Sequence, residues 1–273
     1  MLDILQARWR QGFRTVLLPV TQDAFPDRFR GRPIIDSTKC VDGCRACVDA
    51  CPTGAITITA PAPATAPATA TAPVSTSAPA NRVTLDLGKC IFCPACVEAC
   101  PTGAITYTRD HRLAARTRDD LRITNAEAPK IAALDAAMRK LLGRALRLRQ
   151  VSAGGCNGCE AELVALGNVV FDMSRFGIQF VASPRHADGI VITGPVTHNM
   201  RQALIETYEA TPAPRIVIAV GACAISQGAF ASESGPVSGI PPEIPVDLFI
   251  PGCPPHPLTV LDGLLRMLGR NES

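Results

Sequence analysis

VSAGGCNGCE, at residues 151–160, is the stretch from which the rest of the chain is read. Leu146, Leu148 and Val151 form a short β-prone run before it, Gly154 and Gly155 break that run, and Cys156 and Cys159 follow at CxxC spacing. A helical stretch then opens at Glu160. Such a turn presents thiols to a metal. Downstream, Cys223 in VGACA and Cys253 in PGCPP each follow an apolar run of strand character. Four thiolates gathered at one edge, Cys156, Cys159, Cys223 and Cys253, would hold one [4Fe–4S] cluster.

Around this stretch strands alternate with helices. Apolar runs at 178–183, 189–194, 215–220 and 246–250 are separated by helical patterns at 160–170 and 199–210, with a last helix at 257–269. The alternation predicts an α/β, flavodoxin-like domain over 146–273, its parallel sheet covered on both faces. Ligands of such sheets gather beyond the carboxyl ends of the strands, where the loops of Cys156, Cys223 and Cys253 fall.

Upstream lies an internal repeat. KCVDGCRACVDACPTGAITIT at 39–59 returns as KCIFCPACVEACPTGAITYT at 89–108, with CPTGAIT cores 49 residues apart. The second copy, Cys90, Cys93, Cys96 and Cys100 before Pro101, has the spacing of the bacterial ferredoxin run, whose fourth cysteine ligates the other cluster. A pseudo-symmetric pair then assigns Cys40, Cys44, Cys47 and Cys100 to a first cluster, and Cys90, Cys93, Cys96 and Cys51 to a second. The first copy carries one extra residue between Cys40 and Cys44, a widening that Gly43 can absorb. CxxC pairs also bind zinc, but two runs of four cysteines closed by the same Cys-Pro-Thr-Gly-Ala fit clusters far better. The fold expected over 33–125 is an α+β, bacterial-type two-cluster ferredoxin domain.

Composition agrees. The 273 residues are 47% apolar, enough for two cores, and the net charge of +3 is too small to argue for nucleic acid. Twelve cysteines in three sets of four are not the spacing of a disulfide scaffold, so a reducing, cytoplasmic setting is expected. The start has no signal-peptide core, and no run approaches the ~20 apolar residues of a membrane span.

Residues 1–32 read as an amphipathic helix and lead-in, with Leu2, Leu5, Trp9, Phe13 and Val16 as the stripe and Arg8, Arg10 and Arg14 elsewhere; its cover is either this chain's own core or a partner or membrane surface. Residues 60–80 are Pro/Ala/Thr/Ser low complexity, read as a flexible insert within the ferredoxin-like domain. Residues 109–150 hold eleven Lys/Arg against five Asp/Glu. They include a helical pattern, KIAALDAAMRKLLGRALRLR, with Ile131, Leu134, Met138, Leu141 and Leu142 on one face, read as a connecting helix over 126–145.

These residues carry a family resemblance. GGCNGCE, SPRHADGIVITGPVT, GACA and PGCPPHP make residues 151–273 similar to the small, cluster-bearing subunit of energy-converting, formate hydrogenlyase-like [NiFe] hydrogenases, and to the related 20 kDa subunit of complex I, the NADH-quinone oxidoreductase. Residues 33–125, including LAARTRDDLRI, resemble the two-cluster ferredoxin-like subunit of the same complexes. The complex I version is marked by adjacent cysteines at the first position, whereas Cys156-Asn157-Gly158-Cys159 is the spaced form of the hydrogenase side.

The resemblance implies a fusion of two electron-transfer subunits with three [4Fe–4S] clusters. Its partners would be a hydrogenase-like large subunit over Cys156 and Cys159, integral membrane subunits, and an electron donor or acceptor protein. The chain would then lie in the cytoplasm, peripheral on the inner face of the membrane through partner subunits. It also makes Glu160 a candidate proton relay, against the plainer reading of an acid favoured at a helix N-terminus. His186, His198 and His256 lack the spacing of a metal pair, with His256 the one near enough to a cysteine loop to tune it. There is no Walker loop, dinucleotide fingerprint or pair of CxxC motifs near both ends for a nickel–iron centre, so no catalytic residue is assigned. The rivals are a quinone-linked complex I-like electron-transfer module without hydrogenase activity, a stand-alone ferredoxin-type carrier, and a zinc-bound structural module.

Overall fold

The computed structural model describes residues 2–41, 43–59, 82–124, 131–142, 144–231 and 237–270. The insert at 60–80 and residues 126–130 and 143 of the expected connecting helix lie outside the described residues.

The central strands are built from the most continuously apolar runs. β8 (Gly189–Thr193) and β9 (Ile216–Val220) are buried at every position, as expected of parallel strands covered on both faces. β6 (Leu146–Ser152), β7 (Ile178–Phe180) and β10 (Leu248–Ile250) complete a five-stranded sheet of order β10-β9-β8-β6-β7, every neighbouring pair parallel. This is the flavodoxin-type order, with its topological switch between β6 and β8. α5 (Gly158–Ala165) and α8 (Pro257–Met267) cover one face through Leu163, Val260, Leu261 and Leu264, while α6 (His198–Ala210) covers the other through Leu204.

The repeat forms a smaller body. β1 (Pro33–Ile35) pairs antiparallel with β4 (Ile105–Tyr107), and β2 (Ile56–Thr59), β3 (Arg82–Asp86) and β5 (Arg122–Ile123) form a three-stranded antiparallel sheet. Two short helices, α2 (Ala46–Asp49) and α3 (Ala95–Ala99), occupy equivalent places in the two copies and touch each other. Each stops just before a Cys-Pro pair, as proline requires of a helix it cannot continue.

Two expectations are corrected. The amphipathic helix expected to carry the stripe from Leu2 to Val16 is shorter: α1 (Leu2–Gln11) ends at Gln11, because Gly12 follows in the left-handed region at φ +61°. Of the connecting helix expected over 126–145, the described residues form one short element, α4 (Ala136–Leu142). Beyond it Leu146, Leu148 and Val151 alternate with Arg147 and Arg149, a period of two that suits β6 and not a helix. Leu134 and Leu142 of the expected face are buried, but Leu141 is exposed.

The two bodies are joined by backbone as well as side chains. Ala115 and Phe249 exchange both backbone hydrogen bonds, at 2.9 and 2.8 Å, which places the chain after β4 beside edge strand β10. The turn helix α7 (Ala222–Ser226) reaches across: Ile225 packs against the ferredoxin-like core, and Ser226 Oγ donates to Gly88 O at 2.7 Å. Beneath that contact Arg118 holds Asp86 with two hydrogen bonds of 2.7 and 2.6 Å.

Asp110, 1% exposed, closes the lead-in onto the end of β4. It accepts from Arg112 Nε at 2.9 Å and Nη2 at 3.1 Å, and lies 3.5 Å from Arg32 Nη2. Burial pushes its carboxyl up, but the hydrogen bonds and charge of Arg112 prevail and hold it below the usual carboxylate range. A folded value below the unfolded one means that this ion stabilises the fold above about pH 3.9, and that the contribution is lost as pH falls through the folded value. Asp110→Asn leaves the buried Arg32 and the more exposed Arg112 facing a neutral amide, and should lower unfolding stability by about 3 kcal/mol at neutral pH. Guanidinium titrations of the two proteins at neutral and acidic pH check this: the difference should shrink on acidification, and a difference independent of pH would contradict it.

Candidate iron–sulfur centres

Each cysteine quartet proposed from the sequence is brought to one place. Cys40, Cys44, Cys47 and Cys100 line a cavity with Val41, Ile58, Val83, Pro101 and Ile105. Cys51, Cys90, Cys93 and Cys96 line a second one with Ile56, Leu85, Ile91 and Tyr107. In both, the cysteine before proline comes from the opposite copy. The extra residue of the first copy does not displace Cys40, which shares its cavity with Cys44.

The local backbone repeats along with the cysteines. Ala55 N–H points at Cys51 Sγ at 3.2 Å and Ala104 N–H at Cys100 Sγ at 3.3 Å, with the Thr53 and Thr102 hydroxyls 3.8 and 3.7 Å from the same sulfurs. Donors aimed at sulfur favour the thiolate. At Cys100 burial pushes the thiol up, but the donors from Ala104 and Thr102 outweigh it and the net shift is downward. Cys90 shows the opposite balance: burial pushes it up to about 12 despite the Phe92 N–H 3.3 Å away.

The residue before the second cysteine of each copy is left-handed, Gly43 at φ +76° and Phe92 at φ +56°. In the second copy Arg30 Nε, donating to Phe92 O at 2.6 Å, holds that conformation. Tyr107 is the other residue that sequence reasoning passed over. Its hydroxyl donates to Cys93 O at 3.1 Å and lies 3.9 Å from Cys90 Sγ. The signal was in the repeat, because Tyr107 stands where the first copy has Ile58.

The third quartet lies at the carboxyl edge of the large sheet. Cys156 and Cys159 follow β6, Cys223 follows β9 within α7, and Cys253 follows β10. Gly221, at φ +91°, lets the Cys159 sulfur approach: a Cβ there would lie 2.5 Å from Cys159 Sγ. Burial, then the charges of Glu160, Cys223, Cys253 and Cys156, push the Cys159 thiol up to about 12; burial and Cys253 push Cys223 up to about 11. Cys156 and Cys253 are exposed, so this centre opens outward at one side.

Glu160 is buried behind the turn, its Oε1 accepting from Thr193 Oγ1 at 2.6 Å and Ser152 Oγ at 2.7 Å. Those hydroxyls outweigh burial and hold its carboxyl below the usual range. His256 Nδ1 accepts from Leu258 N–H at 3.1 Å and caps α8, its ring packed against Phe25, Phe29 and Phe171. Burial pushes it down to about 4, a neutral imidazole. His186 and His198 are exposed.

The donor sets fit clusters. All four donors in each quartet are sulfur, apolar linings shield the first two from water, and thiolates this close repel one another unless iron compensates their charge. Among the described residues no three His, Cys, Asp or Glu converge as one metal ion would require, whereas the two quartets spaced around cavities suit a group with four corners.

Comparison with known proteins agrees with both halves. Residues 39–104 match a 4Fe-4S dicluster domain. A probable membrane-bound hydrogenase subunit of Pyrococcus furiosus is 40% identical over 146 residues, 53% of this chain and 86% of that protein. Formate hydrogenlyase subunit 7 of Escherichia coli is 42% identical over 142 residues, 52% of this chain and 56% of its own length. An NADH-quinone oxidoreductase subunit of Heliobacterium modesticaldum is 44% identical over 122 residues, 44% of this chain and 70% of its own. Residues 156–267 match the NADH ubiquinone oxidoreductase 20 kDa subunit, and the chain belongs to that family, with a 4Fe-4S dicluster domain fused ahead of it in the same polypeptide.

Proposed function

We propose that this chain is the electron-transfer subunit of a membrane-associated [NiFe] hydrogenase of the formate hydrogenlyase type, carrying three [4Fe–4S] clusters. The observation that carries the reading is the grouping of twelve cysteines into three quartets on two bodies joined through α7. Each cluster, when bound, takes up and gives back one electron.

The chain's own residues then do three things. Cys40, Cys44, Cys47 and Cys100, then Cys90, Cys93, Cys96 and Cys51, then Cys156, Cys159, Cys223 and Cys253 supply the ligands. Backbone N–H groups of Ala55, Phe92 and Ala104 aimed at sulfur tune the centres they face. Apolar linings such as Ile58, Val83 and Leu85 exclude water, which also sets potential. We take 33–125 as the two-cluster unit and 146–273 as the unit of the third centre.

The side of the third centre left open at Cys156 and Cys253 suits a large subunit seated there. The Pyrococcus and Escherichia relatives are hydrogenase and formate hydrogenlyase subunits, and the spaced Cys156–Cys159 pair favours that side of the family over the quinone-linked one. Substrate chemistry then belongs to the large subunit, and attachment to the membrane to integral subunits of the complex. Among the described residues no helix is long and apolar enough to cross a membrane.

The complex isolated anaerobically from membranes tests the assignment: a large subunit with bound nickel should accompany this chain, and a large subunit free of nickel would favour the quinone-linked module instead. Crossed ligation has its own test. Cys100→Ser should alter the electron paramagnetic resonance signal of the cluster held by Cys40, Cys44 and Cys47, and leave that of Cys90, Cys93 and Cys96 unchanged. Loss of the second signal in place of the first would reverse the assignment.

A further inference from the structure

α1 is a helix that its own chain leaves bare. None of its residues is buried: Leu2, Leu5 and Trp9 are 82%, 64% and 89% exposed, and just beyond it Phe13 and Leu17 are 85% and 83% exposed. An isolated helix of 10 residues is marginal in water, so a face this apolar calls for a cover. Elsewhere the segment is tied down: Val16 N–H donates to Val170 O at 2.7 Å, and Arg175 Nη2 to Val16 O at 2.6 Å. Exposed Val169 and Val170 lie beside that anchor.

The charge pattern says what the cover is. Leu2, Leu5 and Trp9 fall at i, i+3 and i+7 on one stripe. At about 100° per residue, Arg8 and Arg10 fall one on each side of Trp9, and Asp3 is the sole acid among residues 2–18 against Arg8, Arg10 and Arg14. Long basic stems flanking both sides of an aromatic and aliphatic stripe can bury their methylenes at an interface while their guanidiniums meet anionic headgroups. A tryptophan in that stripe has the amphipathic ring that favours the headgroup level.

We propose that α1 lies in the surface of a lipid bilayer bearing anionic headgroups, with Leu2, Leu5 and Trp9 inserted and Arg8 and Arg10 on the phosphates. One such helix binds reversibly, so it orients the chain on the membrane and adds to whatever holds the complex there. The inference rests on the exposed helix and stands independently of the cluster assignment.

Trp9 is the one tryptophan in the chain, so its fluorescence reports this contact alone. The full-length protein, prepared anaerobically with its clusters, is mixed with vesicles of phosphatidylcholine containing phosphatidylglycerol, and with vesicles of pure phosphatidylcholine. It should co-sediment with the anionic vesicles, with Trp9 emission shifted to the blue and quenched by brominated acyl chains. Leu5→Glu should abolish binding, and Arg8→Gln with Arg10→Gln should weaken it roughly fivefold for each charge removed. No α1 residue is buried, so these variants should keep their iron content, which is measured alongside. Protein that stays in the supernatant, unquenched Trp9, or Leu5→Glu binding as well as the parent would overturn the proposal and give this face to a protein partner.

Discussion

Thiolates gathered in an apolar setting repel one another, and that repulsion governs this molecule. Burial pushes the Cys90 and Cys159 thiols up to about 12, so neither of these two thiols would ionise on its own at neutral pH. The fold nevertheless brings each set of four to one place, from segments as far apart as Cys40 and Cys100, or Cys156 and Cys253. Iron, when bound, would supply the compensating charge, and the strands and turns around each quartet hold sulfur in position. Left-handed backbone at Gly43, Phe92 and Gly221 is part of that arrangement, since it turns chain or removes a side chain where sulfur must approach.

One short element serves both halves. α7 carries Cys223 to the third centre and, two and three residues later, sends Ile225 into the ferredoxin-like core and Ser226 onto Gly88. Gly88 lies two residues before Cys90, so the loop of the second centre and the turn of the third are fixed by the same contact. The Ala115–Phe249 backbone pairing and the Arg118–Asp86 ion pair brace that junction on either side.

Most of the site was legible because its signals are local. Cysteine spacing within each copy, the repeat that implies crossing over, and the near-continuous apolar runs of β8 and β9 need no knowledge of distant residues. What the sequence hid is long-range or depends on competition between patterns. Ser226 bonds a residue 138 positions away, and Arg30 one 62 positions away, with no periodicity to reveal either. The connecting helix expected over 126–145 is shorter, α4 (Ala136–Leu142), because its Leu/Arg pattern runs into the β-prone run that starts at Leu146, which pairing with β7 and β8 holds as a strand. Tyr107 was visible as a difference between the copies, yet its role at Cys93 and Cys90 depends on a loop packed against it.

The central claim is that the third quartet is a cluster site of the same kind as the other two. Iron and acid-labile sulfide determined on the anaerobically purified chain test it most directly. Three centres predict about twelve irons and as many sulfides per chain; about eight would mean that Cys156, Cys159, Cys223 and Cys253 hold no cluster and would contradict the account.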